Sequence, residues 1–157
     1  RVYAIRNELD KNKFEKIPIF PYSVKYNSAF YGPFRDAAKS NPSFGDRKTY
    51  QMNFKNSEEA INEVQLDINE GAEVVIIKPA LSYLDIIYRI KERFNIPIIA
   101  YNVSGEYSMV KSASKNNFIN EMETILEILH SIKRAGANAI ISYHALDIAK
   151  YLKSNDV

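Results

Sequence analysis

The sequence contains no cysteine among its 157 residues. This absence excludes disulfide bonds, thiolate nucleophiles and thiolate metal ligands within the chain. No apolar run approaches the roughly 20 residues that a helix needs to cross a bilayer, and no secretory signal opens the sequence. The chain begins at Arg1, inside a helical pattern, which we interpret as processing or truncation. We therefore expect a cytoplasmic protein, or one of a plastid or another organelle.

The sequence also lacks an excess of charge of either sign. Its 21 lysine and arginine residues against 19 aspartate and glutamate residues leave a net charge of +2, and basic and acidic positions are interspersed. That pattern is typical of a solvated surface and predicts neither a nucleic-acid nor a membrane partner. The apolar fraction of 46% and the charged fraction of 25% are those of a globular protein with a core.

Four short apolar runs predict β-strands, and each is followed by a stretch with helical periodicity. The runs show no polar alternation, so both faces of their sheet are expected to be covered. Strands that alternate with helices predict parallel pairing through crossover helices, and hence an α/β fold. The predicted strands lie at 17–22, 73–77, 96–101 and 139–143.

Capping residues mark the ends of several predicted helices. Asn56, with a glutamate three residues later, predicts the start of one helix, and Gly71 predicts its end. Ser82 predicts the cap of the next helix, and Gly136 predicts the end of a later one. Before these helices, residues 23–56 form a long irregular stretch. A loop of that length in a compact domain is usually functional or disordered.

Polar side chains follow each predicted strand. In parallel α/β folds, ligands bind beyond the carboxyl ends of the strands, so these side chains are expected to meet at one mouth. Two of them are lysines, and Lys78 directly follows the apolar run VVII. After the four strands come, in order, Ser23 and Lys25, then Lys78, then Tyr101 and Ser104, then Tyr143 and His144.

A pair of lysines at one mouth has a specific chemical use. An amine attacks a carbonyl only when it is neutral, and a second ammonium together with apolar walls lowers the pKa of a lysine. The pair therefore predicts imine formation with a ketone or aldehyde substrate. Ordinary interpretations stay open: Lys25 and Lys78 as surface cations, Tyr101 and Tyr143 as core tyrosines, Ser104 as a turn residue.

Other kinds of site have weak support. His130 and His144 lack metal-ligand spacing, and no nucleophile elbow, phosphate-binding loop or dinucleotide-binding glycine motif is present. A metal site, a serine hydrolase and a nucleotide-binding protein are therefore not predicted from the residues themselves.

Four long segments resemble the porphobilinogen synthase family, also called 5-aminolaevulinate dehydratase, over essentially the whole chain. They are YSVKYNSAFYGPFRDAAKSNPSFGDRKTYQM (22–52), VVIIKPALSYLDII (74–87), AYNVSGEY (100–107) and KRAGANAIISY (133–143). The resemblance implies a (β/α)8 barrel that condenses two 5-aminolaevulinate molecules to porphobilinogen, in tetrapyrrole synthesis. A complete barrel needs about 250 residues. Residues 1–157 are therefore expected to be a single partial domain, the C-terminal half of a TIM barrel with four parallel strands.

The resemblance also implies roles for individual residues. Lys78 matches the lysine that forms a Schiff base with substrate in the A site, and Lys25 matches the imine lysine of the P site. Ser104 and Tyr143 match residues that hold the P-site carboxylate. The stretch 23–56 becomes an active-site lid. In it, Arg35 and Arg47 match the pair that binds the A-site carboxylate, and Tyr31, Phe34 and Gln51 belong to the same segment.

Metals and an oligomer are implied as well. Glu63 matches a glutamate that binds an allosteric magnesium ion in many family members, and a solvated glutamate on a helix is the alternative. An active-site zinc or magnesium ion would have its ligands outside this chain. Family members form homo-octamers. The sequence departs from the family pattern at Ala80, Ser82 and His144, none of which is a named catalytic position.

Two other interpretations stay open. One is a different Schiff-base enzyme, such as a class I aldolase on a similar barrel, which needs one imine lysine rather than two. The other is a catalytically inactive fragment or scaffold. An isolated half-barrel is expected to associate or aggregate, because its first and last strands have free edges. Its inward-facing side chains, expected to include Val75, Ile77, Ile98 and Ile140, would also lack partners.

Overall fold

A computed structural model of the chain describes residues 1–38 and 50–155. Within these ranges, four strands form one parallel sheet in the order β1-β2-β3-β4. The strands are β1 (Val24–Lys25), β2 (Val75–Lys78), β3 (Ile98–Asn102) and β4 (Ala139–Ser142). The helices are α1 (Val2–Lys11), α2 (Gly32–Ala37), α3 (Glu58–Asn69), α4 (Leu84–Arg93), α5 (Ser104–Lys115), α6 (Glu121–Arg134) and α7 (Ala145–Ser154). The predicted α/β fold with four parallel strands and crossover helices is confirmed.

The predicted position of the first strand, 17–22, is wrong, because β1 begins at Val24 and has two residues. Pro18 and Pro21 lie in the predicted run, and proline has no N–H to donate to a neighbouring strand. The run still lies alongside β2, since the N–H of Ile76 donates to the carbonyl of Pro21 at 3.0 Å. Both β2 and β3 begin two residues later than predicted, and β4 begins at the predicted residue.

The helix ends follow most of the predicted capping signals. The side chain of Asn56 accepts hydrogen bonds from two backbone N–H groups at the start of α3, at 3.0 and 3.4 Å. Gly71 and Gly136 follow α3 and α6 with φ angles of 100° and 122°, the left-handed conformation that commonly ends helices. The prediction for Ser82 is wrong. Ser82 lies inside a short 3-10 helix, Leu81–Tyr83, and no side chain caps α4.

One face of the sheet, called the outer face from here on, packs against α3, α4 and α6. Alternate residues of a strand point to opposite faces, so the outer face carries every second side chain. Most of these side chains are apolar and buried, while the polar Asn102 and Ser142 lie at the carboxyl ends of β3 and β4. Val24, Val75, Ile77, Ile98 and Ala100 each have 0% of their surface exposed.

The opposite face, called the inner face, carries the intervening side chains. The register pairs Lys25 with Lys78, Ile76 with Ile99 and Tyr101 with Ile141, so these residues share that face. Burial here is incomplete at the β4 edge, where Ile141 is 38% exposed. The inner face is therefore apolar at its base and polar at the carboxyl ends of the strands.

The residues expected to point inward lie on the other face. Val75, Ile77 and Ile98 belong to the core between sheet and helices, and the partly buried Ile140 packs against the same core. The error has a simple cause: a shift of one position along a strand moves a whole set of side chains to the opposite face. Apolar runs such as VVII have apolar residues on both faces and do not distinguish between the two.

A smaller cluster attaches α1 to the rest of the chain. Val2 is buried with Ile19 and Ala72. The guanidinium of Arg6 donates to two backbone carbonyls of the segment 14–17, at 2.9 and 2.8 Å, and so holds the chain as it leaves α1. None of the helices in the described ranges has the length and apolar character needed to cross a membrane.

Candidate active site

A pocket lies at the carboxyl ends of the strands, where the sequence predicts ligand binding. It contains about 420 Å3 of unfilled space and is partly open to solvent. Lys25 and Lys78 enter it from β1 and β2, and Tyr101, Val103, Ser104 and Tyr143 from the ends of β3 and β4. Tyr31, Phe34, Arg35 and Gln51 enter it from the segment between β1 and α3. The structure thus brings together every predicted substrate-site residue within the described ranges.

Lys25 and Lys78 are direct neighbours across the β1–β2 pair, because the register pairs their Cα positions. Their side chains therefore leave the sheet on the same face. Lys78 Nζ lies 4.2 Å from the centroid of the Tyr101 ring and 5.3 Å from that of Tyr22. Lys25 Nζ lies 5.7 Å from the centroid of the same Tyr22 ring. Aromatic faces attract ammonium groups, so these rings hold both lysines at the pocket.

Tyr31 connects the segment after β1 to the backbone of Lys78. Its hydroxyl donates to the carbonyl of Tyr26 at 2.8 Å and lies 3.3 Å from the carbonyl of Lys78. Burial raises the pKa of Tyr31 well above its ordinary value, so the hydroxyl stays a donor at neutral pH. The Arg35 Cζ atom lies 5.5 Å from the centroid of the Tyr31 ring. Tyr31 therefore places the arginine and the lysine on the same pocket wall.

Ser104 and Gly105, at the start of α5, hold the segment that leads into α2. The hydroxyl of Ser104 accepts from the N–H of Phe34 at 3.1 Å and donates to the carbonyl of Phe30 at 3.4 Å. A Cβ on Gly105 would lie 2.5 Å from the Phe30 carbonyl oxygen and 2.6 Å from its Cα. Only glycine permits such a close approach of two backbones. These contacts fix one end of the predicted lid at the rim of the pocket.

Some buried polar atoms at the pocket have no hydrogen-bond partner among the described residues. They are both amide atoms of Gln51 and Nε of Arg35. Gln51 is only 6% exposed. Buried polar groups are almost always paired, so unpaired atoms at a pocket indicate groups that a ligand or solvent satisfies. The arrangement suits a substrate that carries an anionic or hydrogen-bonding group.

Tyr101 and Tyr143 form the wall on the side of β3 and β4. Burial, followed by the neighbouring Tyr143 hydroxyl, raises the pKa of Tyr101 to about 12. Tyr101 is therefore a neutral hydrogen-bond donor at physiological pH. The ring of Tyr143 lies 5.7 Å from that of Tyr107 on α5, which supports it from behind.

Of the predicted residues that the structure describes, Ser23, Glu63 and His144 do not line the pocket. Arg47 falls outside the described residues. Glu63 lies on α3, is exposed, and does not line the pocket. Burial, followed by the charges of Asp67, Glu59 and Glu70, raises the pKa of Glu63. Carboxylates that raise the pKa of a neighbouring carboxyl create a negative potential at it that a cation would relieve.

Glu63 offers one carboxylate beside solvent, which is compatible with a magnesium ion that keeps several of its waters. Within the described ranges, no group of three or more His, Cys, Asp or Glu side chains could hold a metal ion. His130 lies on the exposed side of α6 with Nδ1 2.7 Å from the Leu126 carbonyl. His144 is buried with its ring 4.6 Å from that of Tyr107. The residues present therefore suit a hydrated magnesium ion at most.

Sequence reasoning missed Glu106, a carboxylate that is 1% exposed beside the pocket. It accepts hydrogen bonds from the backbone N–H groups of Ala80, Leu81 and Val103 and from the side chain of Asn102. The signal in the sequence is a capping-box spacing, because Glu106 lies three residues after Val103, the residue that precedes α5. That preceding residue is a valine, so the usual Ser or Thr of the motif is absent.

The chain matches known proteins over nearly its whole length. The family model for Delta-aminolevulinic acid dehydratase matches residues 1–151. Curated relatives of that name are 60% identical over 152 residues in Synechocystis sp. and 60% identical over 151 residues in Bacillus subtilis. A crystal structure of delta-aminolevulinic acid dehydratase (porphobilinogen synthase) from Toxoplasma gondii, in complex with the reaction product porphobilinogen, superimposes with a TM-score of 0.94 at 48% identity.

The same matches cover the relatives only in part. They include 97% of this chain but 46% of the Synechocystis protein, and 96% of this chain but 47% of the Bacillus subtilis protein. The superposition covers 96% of this chain and 43% of the Toxoplasma gondii chain. The chain thus spans about half the length of the relatives it matches, and its four strands correspond to part of their barrel.

Proposed function

The chain belongs to the delta-aminolevulinic acid dehydratase family, and we propose that it supplies part of an enzyme that condenses two 5-aminolaevulinate molecules to porphobilinogen. The relatives are about twice as long, so the activity belongs to the complete protein. On this proposal the chain by itself is catalytically silent. It contributes the two lysines and the pocket around them, while an active-site zinc or magnesium ion is held by residues outside this chain.

The observation that carries the proposal is the register of Lys25 against Lys78 on one pocket wall. Each amine can attack the ketone carbon of one substrate molecule. A C=N bond then forms and the carbonyl oxygen leaves as water. Two adjacent attachment points suit the joining of two like molecules. A class I aldolase needs one imine lysine, and a second lysine in register with it would have no role.

The surrounding groups fit substrates that carry a carboxylate. Ser104 and Tyr143 bring hydroxyl groups to the pocket and are proposed to bind the carboxylate at the P site. Arg35 also lines the pocket and, with Arg47, is proposed to bind the carboxylate at the A site. A planar guanidinium can donate two parallel hydrogen bonds to a carboxylate. Nε of Arg35 and the amide of Gln51, which have no hydrogen-bond partner in the described part of the chain, support this assignment.

Borohydride trapping tests the imines. In the complete enzyme, reduction in the presence of 5-aminolaevulinate is expected to leave a covalent adduct at Lys78, Lys25 or both, located by peptide mass spectrometry. Lys78→Ala is expected to lose turnover, because the neighbouring amine of Lys25 is proposed to hold the other substrate molecule and cannot form both imines. The control is Lys115→Ala, which removes an exposed lysine at the end of α5. Turnover retained by Lys78→Ala would contradict the proposal.

Substitution of the arginines tests the carboxylate site. Arg35→Ala and Arg47→Ala are each expected to weaken substrate binding by about 1.5–3 kcal/mol, the usual value of a hydrogen bond to a charged group. The Michaelis constant is the measurement. Arg35→Lys should restore little of the lost substrate binding, since an ammonium cannot form the paired hydrogen bonds of a guanidinium. Unchanged kinetics in both alanine variants would remove the arginines from the site.

We further propose that Glu63 is a ligand of an allosteric magnesium ion and that the complete protein forms a homo-octamer. Support comes from the exposed position of Glu63 on α3 and from its pKa, which burial and then the charges of acidic neighbours raise. Magnesium is expected to raise activity and to favour the larger assembly in sedimentation, and Glu63→Gln is expected to abolish both responses. Glu123→Gln, at an exposed position of α6, is the control. A magnesium response that survives in Glu63→Gln would return Glu63 to an ordinary surface role.

A further inference from the structure

Glu106 is a buried carboxylate. Within the described ranges it forms no ion pair with a cation. All four of its hydrogen bonds come from neutral donors. Oε1 accepts from the N–H groups of Ala80 at 3.2 Å and Leu81 at 2.7 Å. Oε2 accepts from the N–H of Val103 at 2.7 Å and from the amide of Asn102 at 3.0 Å. Burying a carboxylate without a cation costs free energy, so the buried position of Glu106 requires an explanation.

Capping α5 does not explain the whole arrangement. A glutamate at this position of a helix needs only the backbone N–H before the helix, here that of Val103, and usually lies at the surface. The other oxygen of Glu106 instead reaches the turn between β2 and α4. Burial raises the pKa of Glu106, while its four hydrogen bonds act in the opposite direction. Each hydrogen-bond partner of Glu106 among the described residues is a donor, so the site is complementary to an acceptor at both oxygens.

The turn that Glu106 holds begins one residue after the pair Lys78 and Pro79. Asn102 extends the connection to the next strand, because its Oδ1 accepts from the hydroxyl of Ser142 at 2.8 Å. The same hydroxyl accepts from the N–H of His144 at 3.1 Å. One hydrogen-bonded network therefore joins the carboxyl ends of β2, β3 and β4 from the outer side of the sheet. The end of β1 is held differently, since the carbonyl of Lys25 accepts from the N–H of Met52 at 3.0 Å.

We propose that Glu106 is a positioning residue for Lys78: it fixes the turn after Lys78 against α5 and so sets where the amine meets the substrate carbonyl. The inference rests on the proposed function, because it concerns the geometry of the same imine. It assigns no contact between Glu106 and substrate. Lys25 connects to this network only indirectly in the described ranges, through the N–H of Tyr26, which donates to the carbonyl of Lys78 at 3.0 Å, so Lys78 is expected to respond more strongly than Lys25 when the network is weakened.

That difference supplies the experiment. In the complete enzyme, borohydride reduction with 5-aminolaevulinate is followed by mass spectrometry, and the adduct at Lys78 is divided by the adduct at Lys25. Glu106→Gln has the same shape but turns an NH2 group toward backbone donors, so two of the four hydrogen bonds are lost. We expect this ratio to fall at least tenfold. We expect kcat to fall by about 10²-fold, as for a misplaced catalytic group.

A purely structural role would give another result. Loss of folded protein lowers both adducts together and leaves their ratio unchanged, so an unchanged ratio in Glu106→Gln overturns the proposal whether or not activity falls. Glu58→Gln is the matched control, since Glu58 is an exposed glutamate on α3 paired with Arg89 at 2.6 Å. It should keep both the ratio and kcat.

A second variant covers the case in which Glu106→Gln does not fold. Glu106→Asp keeps the charge but is shorter by one methylene, so it cannot span both the α5 start and the β2–α4 turn. The ratio should fall here as well, and an unchanged ratio counts against the proposal. The unsubstituted enzyme separates the two hypotheses. If neither lysine is trapped in it, the proposed function fails. If both are trapped and only the variants behave unexpectedly, the positioning role alone fails.

Discussion

On the outer face of the sheet, Val75, Ile77 and Ile98 have no exposed surface, whereas one position further along the same strands lie Ile76, Lys78 and Ile99. The outer set is apolar up to the polar Asn102 and Ser142 at the ends of β3 and β4, and its apolar members meet the helices. The inner set becomes polar at the carboxyl ends of the strands, where the pocket opens. Of two adjacent residues at the carboxyl end of such a strand, the outer one thus packs in the core, while the inner one lies at the candidate site. The difference predicts that substitutions on the two faces have separable effects.

The largest effect is expected from Ile77→Ala on the outer face. The Ile77 side chain is fully buried in the core, so its truncation should lower the free energy of unfolding by about 2–5 kcal/mol. Urea denaturation is the measurement. Lys78→Ala, the next residue on the inner face, should cost about 1 kcal/mol, the value of its contacts with aromatic rings. Equal destabilisation by the two variants would show that the faces do not differ as described.

Gly105→Ala is expected to have the next largest effect. Its new Cβ would lie 2.5 Å from the Phe30 carbonyl oxygen, so the backbone of one segment must move. Overpacking of this kind costs about 1–3 kcal/mol, measurable by urea denaturation, and should also raise the Michaelis constant by displacing the segment before α2. Gly32→Ala is a close control, because a Cβ there meets no atom within 4 Å. A Gly105→Ala variant that behaves like Gly32→Ala would contradict the tight contact.

The inner face provides a third and smaller effect, on association of the isolated chain. Ile141 is 38% exposed on the edge strand β4, and exposed apolar edges pair with other chains. We expect the 157-residue chain to associate, and Ile141→Glu to weaken this association about tenfold or more, or roughly 1.4 kcal/mol. Sedimentation velocity measures it. Leu146→Glu changes an apolar residue of α7 that is 65% exposed and should have less effect. A stable monomer at high concentration would refute the prediction.

The smallest effect is a dependence of stability on pH. Burial, followed by the Lys111 ammonium, lowers the pKa of His144. Below about pH 6.5, the pKa of an unfolded histidine, the unfolded chain therefore binds a proton that the folded chain does not. The free energy of unfolding should fall as pH decreases through 6.5 toward the lowered pKa, by at most about 1.4 kcal/mol per pH unit. Unfolding in urea at several pH values measures the slope.

Two variants check the origin of that slope. His144→Phe should flatten it, since the buried titrating group is removed while an aromatic ring is kept. His130→Phe removes an exposed histidine of α6 and should leave the slope unchanged. If both variants kept the slope, another group would have to be responsible for it.

Much of the fold could be predicted from the sequence, because apolar runs and helix stops depend on local chemistry. Gly71 and Gly136 end helices through a backbone conformation that glycine favours, and that preference is visible in the sequence. The first strand could not be placed in the same way, since two prolines interrupt the run that suggested it. The assignment of faces failed for a related reason. Runs that are apolar at every position contain no two-residue period from which a face can be deduced.

The residues of the candidate site also divide into those that the sequence predicts and those that it does not. Lys25, Lys78 and Ser104 were predictable because each lies at or just after the carboxyl end of a strand, and these ends meet in a parallel sheet. Glu106 was not predictable, since its importance depends on N–H groups of Ala80 and Leu81 that are distant in the chain. A buried carboxylate and a solvated one on a helix have the same local sequence. Contacts between separate segments, which the sequence does not contain, decide which of the two is present.

On the proposed function, the register of Lys25 with Lys78 also limits how far apart the two imines can form. Neighbouring strands of a sheet lie about 4.8 Å apart, so the backbone positions that carry the two lysines are separated by roughly that distance. The two proposed reactants are chemically identical in solution, and attachment to lysines of different strands would make them distinguishable. Which reactant becomes which half of the product would then depend on a single step across the sheet.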